Sequence, residues 1–276
     1  MTVLVDRALS LCHATVPELT PAEAVLVAAR TGCAFVSVRL MVDPPGGTTC
    51  TIMRDEGLLR ATCDSLRATG VRVLDVEVAR LAGDTDVAGF EAFLRIAAEL
   101  GASRVLTTGD DAEPARLVET YGRFCDLAAG FGLGADLEFV PWLGVGGLAE
   151  AVRVVSQAAR PNAGILVDAL HLDRSGGSVT DLRSLRPEWL HYAQICDAGA
   201  TPPASVAEMI HTAREERLFP GEGELDLVAF LRAMPADIPI AIEVPNATLA
   251  RRMAAFERVS LAVAATRRVL ATALDG

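Results

Sequence analysis

The chain has 276 residues, 51 % of them hydrophobic, with a formal net charge of −11. That composition supplies a sizeable core and excludes a disordered chain, and the negative balance without a basic cluster argues against nucleic acid or an anionic membrane as partner. No leader-like charged and apolar pattern opens the sequence, no apolar run reaches the roughly 18 residues of a membrane span, and six scattered cysteines lack CxxC spacing, so a cytoplasmic protein with reduced thiols is expected.

In chain order, residues 8–12 read as a short strand. Thr20-Pro21-Ala22-Glu23 then opens a helix, with Thr as N-cap, Pro at the first helical position and Glu at the third. That helix runs to Thr31 and stops at Gly32. Residues 34–40 form a second strand. Residues 41–51, MVDPPGGTTCT, are the most loop-like stretch, either an active-site flap or an ordinary surface loop. Further alternation follows: helix 55–69, strand 71–78, helix 84–100, strand 103–108, helix 112–130, strand 134–139, helix 147–159 and strand 163–168. A short helix at 180–185 precedes strand 189–196. Helical pieces 204–213 and 225–233 lead to strand 238–244 and a long closing helix, 248–274.

Eight strands each followed by helix, in one composition regime, predict a single (β/α)8 TIM barrel spanning residues 1–276. An open doubly wound sheet is the runner-up, but it would bring a glycine-rich phosphate turn after the first strand. Cys12-His13-Ala14-Thr15-Val16 has none. Gly144-Val145-Gly146 contains GxG without the rest of that fingerprint and reads as a loop.

Four strands in the second half end on an oxygen ligand: Glu138, Asp168, Gln194 and Glu243. Each is flanked by apolar residues, where a lone charge is costly. Singly, each reads as a salt-bridged or capping group. Together, at tips that face one mouth, they read as a site for a divalent cation, which relieves the repulsion of three carboxylates. All-oxygen donors favour Mn²⁺ or Mg²⁺, with cobalt or zinc as lesser alternatives. His171 follows Asp168 by three residues. His13 lies past the first strand and is a candidate for the mouth. Trp142 is either a wall under a ring or loop packing, and Glu77 either a substrate contact or a rim salt bridge.

The segments Leu137-Glu138-Phe139, Val167-Asp168-Ala169-Leu170-His171, Ala193-Gln194-Ile195-Cys196-Asp197, Phe219-Pro220-Gly221-Glu222-Gly223-Glu224-Leu225 and Ile242-Glu243-Val244, in that order, resemble the xylose-isomerase-like TIM-barrel superfamily of sugar isomerases and epimerases. The resemblance covers about Glu138 to Asn246. It implies metal ligands at Glu138, Asp168, Gln194 and Glu243, and proton transfer by Glu138 and Glu243. It supports His171 as a substrate neighbour or acid, the alternative being a satisfied loop histidine, and an arginine just before Phe219, Arg217 ahead of Arg214, as a substrate contact. Glu222 is placed to orient it, and both arginines otherwise read as solvated helix-end cations. The activity implied is a metal-dependent isomerase or epimerase of a small sugar or keto-polyol, acting through a metal-stabilised enediolate, in a possible homo-oligomer. A dehydratase of an inosose- or keto-sugar-type substrate shares the first half-reaction. An endonuclease-IV-like hydrolase would need a His-rich centre and a basic face, and the chain has four histidines; a non-catalytic binding protein is the remaining alternative.

Overall fold

The computed structural model describes residues 7–41 and 50–274. Of the expected flap at 41–51, residues 42–49 lie outside the described residues. Eight parallel strands close into a barrel in sequence order: β1 (Leu9–Leu11), β2 (Phe35–Arg39), β3 (Arg72–Ala82), β4 (Arg104–Asp110), β5 (Gly134–Glu138), β6 (Ala163–Asp168), β7 (Ala193–Ile195) and β8 (Ile240–Ile242). β1 pairs with β8 to close it.

Strand periodicity sorts the side chains into two layers. Val36, Val38, Val73, Val105, Leu137, Ile165, Val167, Ile240 and Ile242 point outward and join the main core under the helices. Phe35, Leu74, Leu106, Leu166, Tyr192 and Ala241 form a separate cluster inside the barrel. Two residues beyond Leu166, Tyr192 and Ala241 on the same inner face stand Asp168, Gln194 and Glu243. The strand pattern therefore fixes which face carries the polar tips.

The helices follow local signals. α1 (Pro21–Thr31) has the expected capping box, Thr20 accepting from the Glu23 N–H while the Thr20 N–H donates to Glu23 Oε2 at 2.8 Å. It ends at Gly32, where φ is 80°. α2 (Glu56–Thr69), α3 (Glu91–Glu99), α4 (Pro114–Ala129) and α5 (Leu148–Ala158) agree with expectation except that the third helix, expected over 84–100, begins only at Glu91, with residues 87–90 forming a 3-10 turn. α6 (Ala169–Arg174) was not expected; it starts directly on the tip of β6. α7 (Val179–Leu182), α8 (Val206–Glu215) and α9 (Leu227–Ala233) follow. The closing helix is broken into α10 (Ala247–Arg252) and α11 (Ala255–Leu274), because Met253 is extended. The seventh strand is shorter than the expected 189–196, its first expected residue, Trp189, ending a 3-10 turn that starts at Pro187. Arg258 of α11 is fully buried and donates to the Thr15 carbonyl and to Glu18, tying α11 to the loop after β1. All six cysteines are free, and no helix among the described residues is long and apolar enough to cross a membrane.

Candidate functional site

The tip of β6 starts the site. Asp168 is the N-cap of α6, its Oδ1 accepting the His171 N–H at 2.9 Å. That turn sets His171 above the barrel mouth while Asp168 itself stays fully buried. Its other oxygen, Oδ2, accepts from Arg217 Nη1 at 2.6 Å.

Arg217 belongs to a segment that crosses the mouth between β7 and β8. Leu218 bridges Asp197, Glu216 bridges Asn246, and the Arg217 N–H donates to the Pro245 carbonyl. The guanidinium donates from Nε to the Ala213 carbonyl at 2.8 Å, and Nη1 also lies 3.1 Å from Glu243 Oε2 and 3.4 Å from Cys196 Sγ. Glu222, expected to orient it, is exposed, its N–H donating to the Phe219 carbonyl. The residue that organises that glycine-rich loop is Asp197, accepting from the N–H groups of Ala198, Gly221 and Leu225. Gly223 passes so close that a Cβ would sit 2.4 Å from the Ala198 carbonyl oxygen and from Asp197 Oδ1.

Glu138, Asp168 and Glu243 converge, with one oxygen from each lying within 4.8 Å of the others. All three are buried. Gln194 pairs in register with Asp168, and its Oε1 is buried without a hydrogen-bond partner among the described residues. Its Nε2 faces Cys12 Sγ at 4.0 Å.

Asp168 and Glu243 share one guanidinium that Glu138 does not contact, and the three proton affinities diverge accordingly. Burial pushes Asp168 up, but the Arg217 charge against it, with His171 adding, holds it below its ordinary value. Burial, then the negative charges of Glu243 and Asp168, raise Glu138 well above the usual carboxylate range. Burial also raises Glu243, to about 7, with Arg217 opposing. Burial lowers His171 to about 4, so its Nε2, 3.9 Å from Glu138 Oε1, makes a neutral contact rather than an ion pair at pH 7.

A cavity of about 300 Å³ opens over this cluster, lined by Glu138, Glu243, His171, Arg217, Trp142 and Arg39 among others. Trp142 stands edge-on to His171, ring centroids 5.3 Å apart at 81°. Its loop is braced by the Val140 N–H donating to the Val145 carbonyl.

Glu77 and His13 are not among the cavity-lining residues. Glu77 is fully buried, Oε1 accepting from Ser37 Oγ at 2.5 Å and Oε2 from Arg39 Nε and Nη2 at 3.0 and 2.7 Å. Of the two readings open for it, the salt bridge is the one present. His13 sits in a 3-10 turn after β1, its N–H donating to Ser37 Oγ; its neighbours Ala14 and Pro17 line the cavity instead. Arg39 and Thr108 are cavity residues that sequence reasoning passed over. Both end or nearly end an apolar strand, the signature that singled out the acids.

Several known proteins resemble this chain over part or all of its length. The 3-dehydroshikimate dehydratase of Pseudomonas aeruginosa is 29 % identical over 157 residues, 54 % of this chain and 24 % of that protein. The inosose isomerase of Bacillus subtilis is 27 % identical over 119 residues, 42 % of this chain and 41 % of that protein. The chain thus spans less than half the length of the curated relatives it matches. The crystal structure of IolI protein with a zinc atom bound superposes with a TM-score of 0.81 at 19 % identity, covering 96 % of this chain and 98 % of that one. Residues 28–264 match the family described as Xylose isomerase-like TIM barrel, and the chain belongs to that family.

Proposed function

We propose that the protein is a divalent-metal-dependent isomerase or epimerase of a small sugar or keto-polyol, moving a proton on a carbon beside a carbonyl. The observation that carries this reading is the convergence of Glu138, Asp168 and Glu243 within 4.8 Å, with one guanidinium shared by Asp168 and Glu243. These residues fit a hard divalent cation: three carboxylates, and a buried Gln194 Oε1 that lacks a hydrogen-bond partner among the described residues. Oxygen donors favour Mn²⁺ or Mg²⁺; the zinc in the IolI structure makes Zn²⁺ the alternative to test. Such an ion, when bound, supplies Lewis-acid stabilisation of the charge that develops on an enediolate.

The chain's own residues do the rest. Glu138 and Glu243 reach the cavity from β5 and the tip of β8, so one takes a proton from a substrate carbon and the other returns it. Burial raises Glu243 to about 7 when no ion is bound; a cation held here would favour its carboxylate form, the form that accepts a proton. Uncharged His171 offers a hydrogen bond to a substrate hydroxyl, and Trp142 gives an apolar wall beside it. Arg217 fixes the orientation of Asp168 and Glu243 and shares the cavity wall with them.

A dehydratase is the second reading, favoured by His171 as a neighbour able to assist a leaving hydroxyl and by the dehydratase among the relatives. One experiment tests both: ketoses, inososes, hydroxypyruvate and 3-keto-sugars incubated with Mn²⁺ in deuterated water. Deuterium uptake beside the carbonyl is expected, with mass otherwise conserved for an isomerase or epimerase and one water lost for a dehydratase. No uptake and no water loss on any of them, with or without metal, would refute the reading.

A further inference from the structure

The β2 side of the cavity holds a polar relay that the proton chemistry leaves unused. The His13 N–H donates to Ser37 Oγ at 2.8 Å, Ser37 donates to Glu77 Oε1, and Glu77 Oε2 receives both Nε and Nη2 of Arg39. Glu77 is 0 % exposed, while the Arg39 side chain keeps 28 % and lines the cavity with Glu138 and Glu243. Two donors of the guanidinium are therefore committed, and its rotamer is set from behind. Among the described residues nothing accepts from Nη1.

Charge decides what such a group can read. Glu77 cancels the charge of Arg39, and Arg217 is shared by Asp168 and Glu243. With a divalent ion bound, Glu138, Asp168 and Glu243 would all be ionised, and the two negative charges that Arg217 leaves over match that ion. Arg214 also lines the cavity, but it is exposed at the rim, where water screens it. Among the described residues, the buried part of the site thus has no spare positive charge for a carboxylate or phosphate, whose burial unpaired is costly. A cavity near 300 Å³ is at the small end for ligand sites and suits a compact ring.

Resting on the reading that a sugar-like substrate sits here beside a divalent ion, we propose that Arg39, aimed by Glu77 and Ser37, selects an uncharged polyhydroxylated substrate by donating from Nη1 to one of its hydroxyl oxygens. Arg39 is the specificity residue, and Glu77 and Ser37 are positioning residues.

The test is binding, measured by titration calorimetry on the Mn²⁺-loaded protein with two probes: an inosose, uncharged, and 3-dehydroshikimate, a cyclic ketone bearing a carboxylate. The wild type is expected to bind the inosose at least about tenfold more tightly. Arg39→Gln alone would strand a buried Glu77, so the paired variant Arg39→Gln/Glu77→Gln is used, with circular dichroism melting to verify its fold. It is expected to weaken the inosose about tenfold or more, the scale of a lost hydrogen bond to a charged group, and to shrink the preference. Arg39→Lys, which keeps charge but loses the planar fork, should weaken it too. Ser37→Ala should raise KM about threefold with kcat nearly unchanged, and Ser37→Thr should restore it.

Unchanged inosose affinity in the paired variant, a wild-type preference for the carboxylated probe, or no binding of the inosose each overturns the proposal. The reading it rests on fails separately. Inosose binding sensitive to Arg39 but without deuterium uptake on any substrate rejects the proton chemistry and keeps the selector. Uptake with Arg39-independent binding rejects the selector and keeps the chemistry.

Discussion

The two ends of the barrel are built from the same residue types and behave oppositely. At the end where the strands begin, one carboxylate meets one guanidinium. Arg104 donates from Nε and Nη2 to both oxygens of Asp136, at 2.8 and 2.7 Å, and His191 Nδ1 lies 2.8 Å from Asp136. Burial pushes Asp136 up, but Arg104 and then His191 outweigh it and leave the carboxyl below its ordinary value. At the mouth, three carboxylates converge beside one guanidinium, Arg217, which contacts Asp168 and Glu243, and two of the three are driven upward. A buried charge that is fully paired is finished; one that is underpaired keeps an affinity for a cation or a proton. Balance, rather than burial, separates the structural cluster from the candidate site.

The largest expected effect falls on the metal. Asp168→Asn keeps a capping oxygen for α6 but removes a ligand charge. Retained Mn²⁺, measured by elemental analysis, and deuterium uptake should both drop by more than the about 10–100-fold that loss of an outer-shell partner costs. Chelation of the wild type should abolish uptake, and added Mn²⁺ restore it. Asp136→Asn should lower thermal stability and leave metal content as in wild type. Loss of metal in Asp136→Asn would break the comparison.

The next effect concerns the cations. Removing either arginine leaves buried carboxylates unpaired, at a cost of about 3–5 kcal/mol. Arg217→Gln should lose this in the metal-free protein, seen by denaturant unfolding, and regain part of it with Mn²⁺, which binds only the native state. Arg104→Gln should lose a comparable amount and regain nothing beyond the wild-type response to Mn²⁺. Equal rescue of both would show that charge balance does not distinguish the two ends.

Much of this was legible in the sequence because strands of a closed barrel are apolar runs ending at one mouth. Glu138, Asp168 and Glu243 are conspicuous there, and their spacing from Leu166 and Ala241 on the inner face is ordinary strand alternation. What escaped notice depends on contacts across the fold. α6 escaped because Asp168 reads as a strand tip until its carboxylate is seen capping the next turn. The break at Met253 has no Gly or Pro to announce it. Glu77 looks like a free acid until Ser37 and Arg39, forty and thirty-eight residues away, occupy both its oxygens. Arg39 escaped because a search for oxygen at strand tips passes over a cation in the same position. The stretch carrying Arg217 gains its place from Asp197 and Asn246, pairings no local pattern encodes.

Asp75 offers the finest test, because it stands between the two ends and is paired by neither. It is on the inner face of β3, 1 % exposed, with both oxygens lacking a partner among the described residues. Burial, then the negative charges of Glu77 and Glu243 above it, raise its carboxyl well above the ordinary value. A raised carboxyl binds protons more tightly folded than unfolded, so stability falls as pH rises from the unfolded value, about 3.9, toward the folded one. Asp75→Asn mimics the protonated acid and removes that slope. The variant should melt higher than wild type at pH 7, by about 2–4 °C for each 1 kcal/mol recovered in a chain of this size, with the gap closing toward pH 4. Melting curves that run parallel from pH 4 to 8 would mean that Asp75 is as well balanced as Asp136, and would move it from the underpaired class to the paired one.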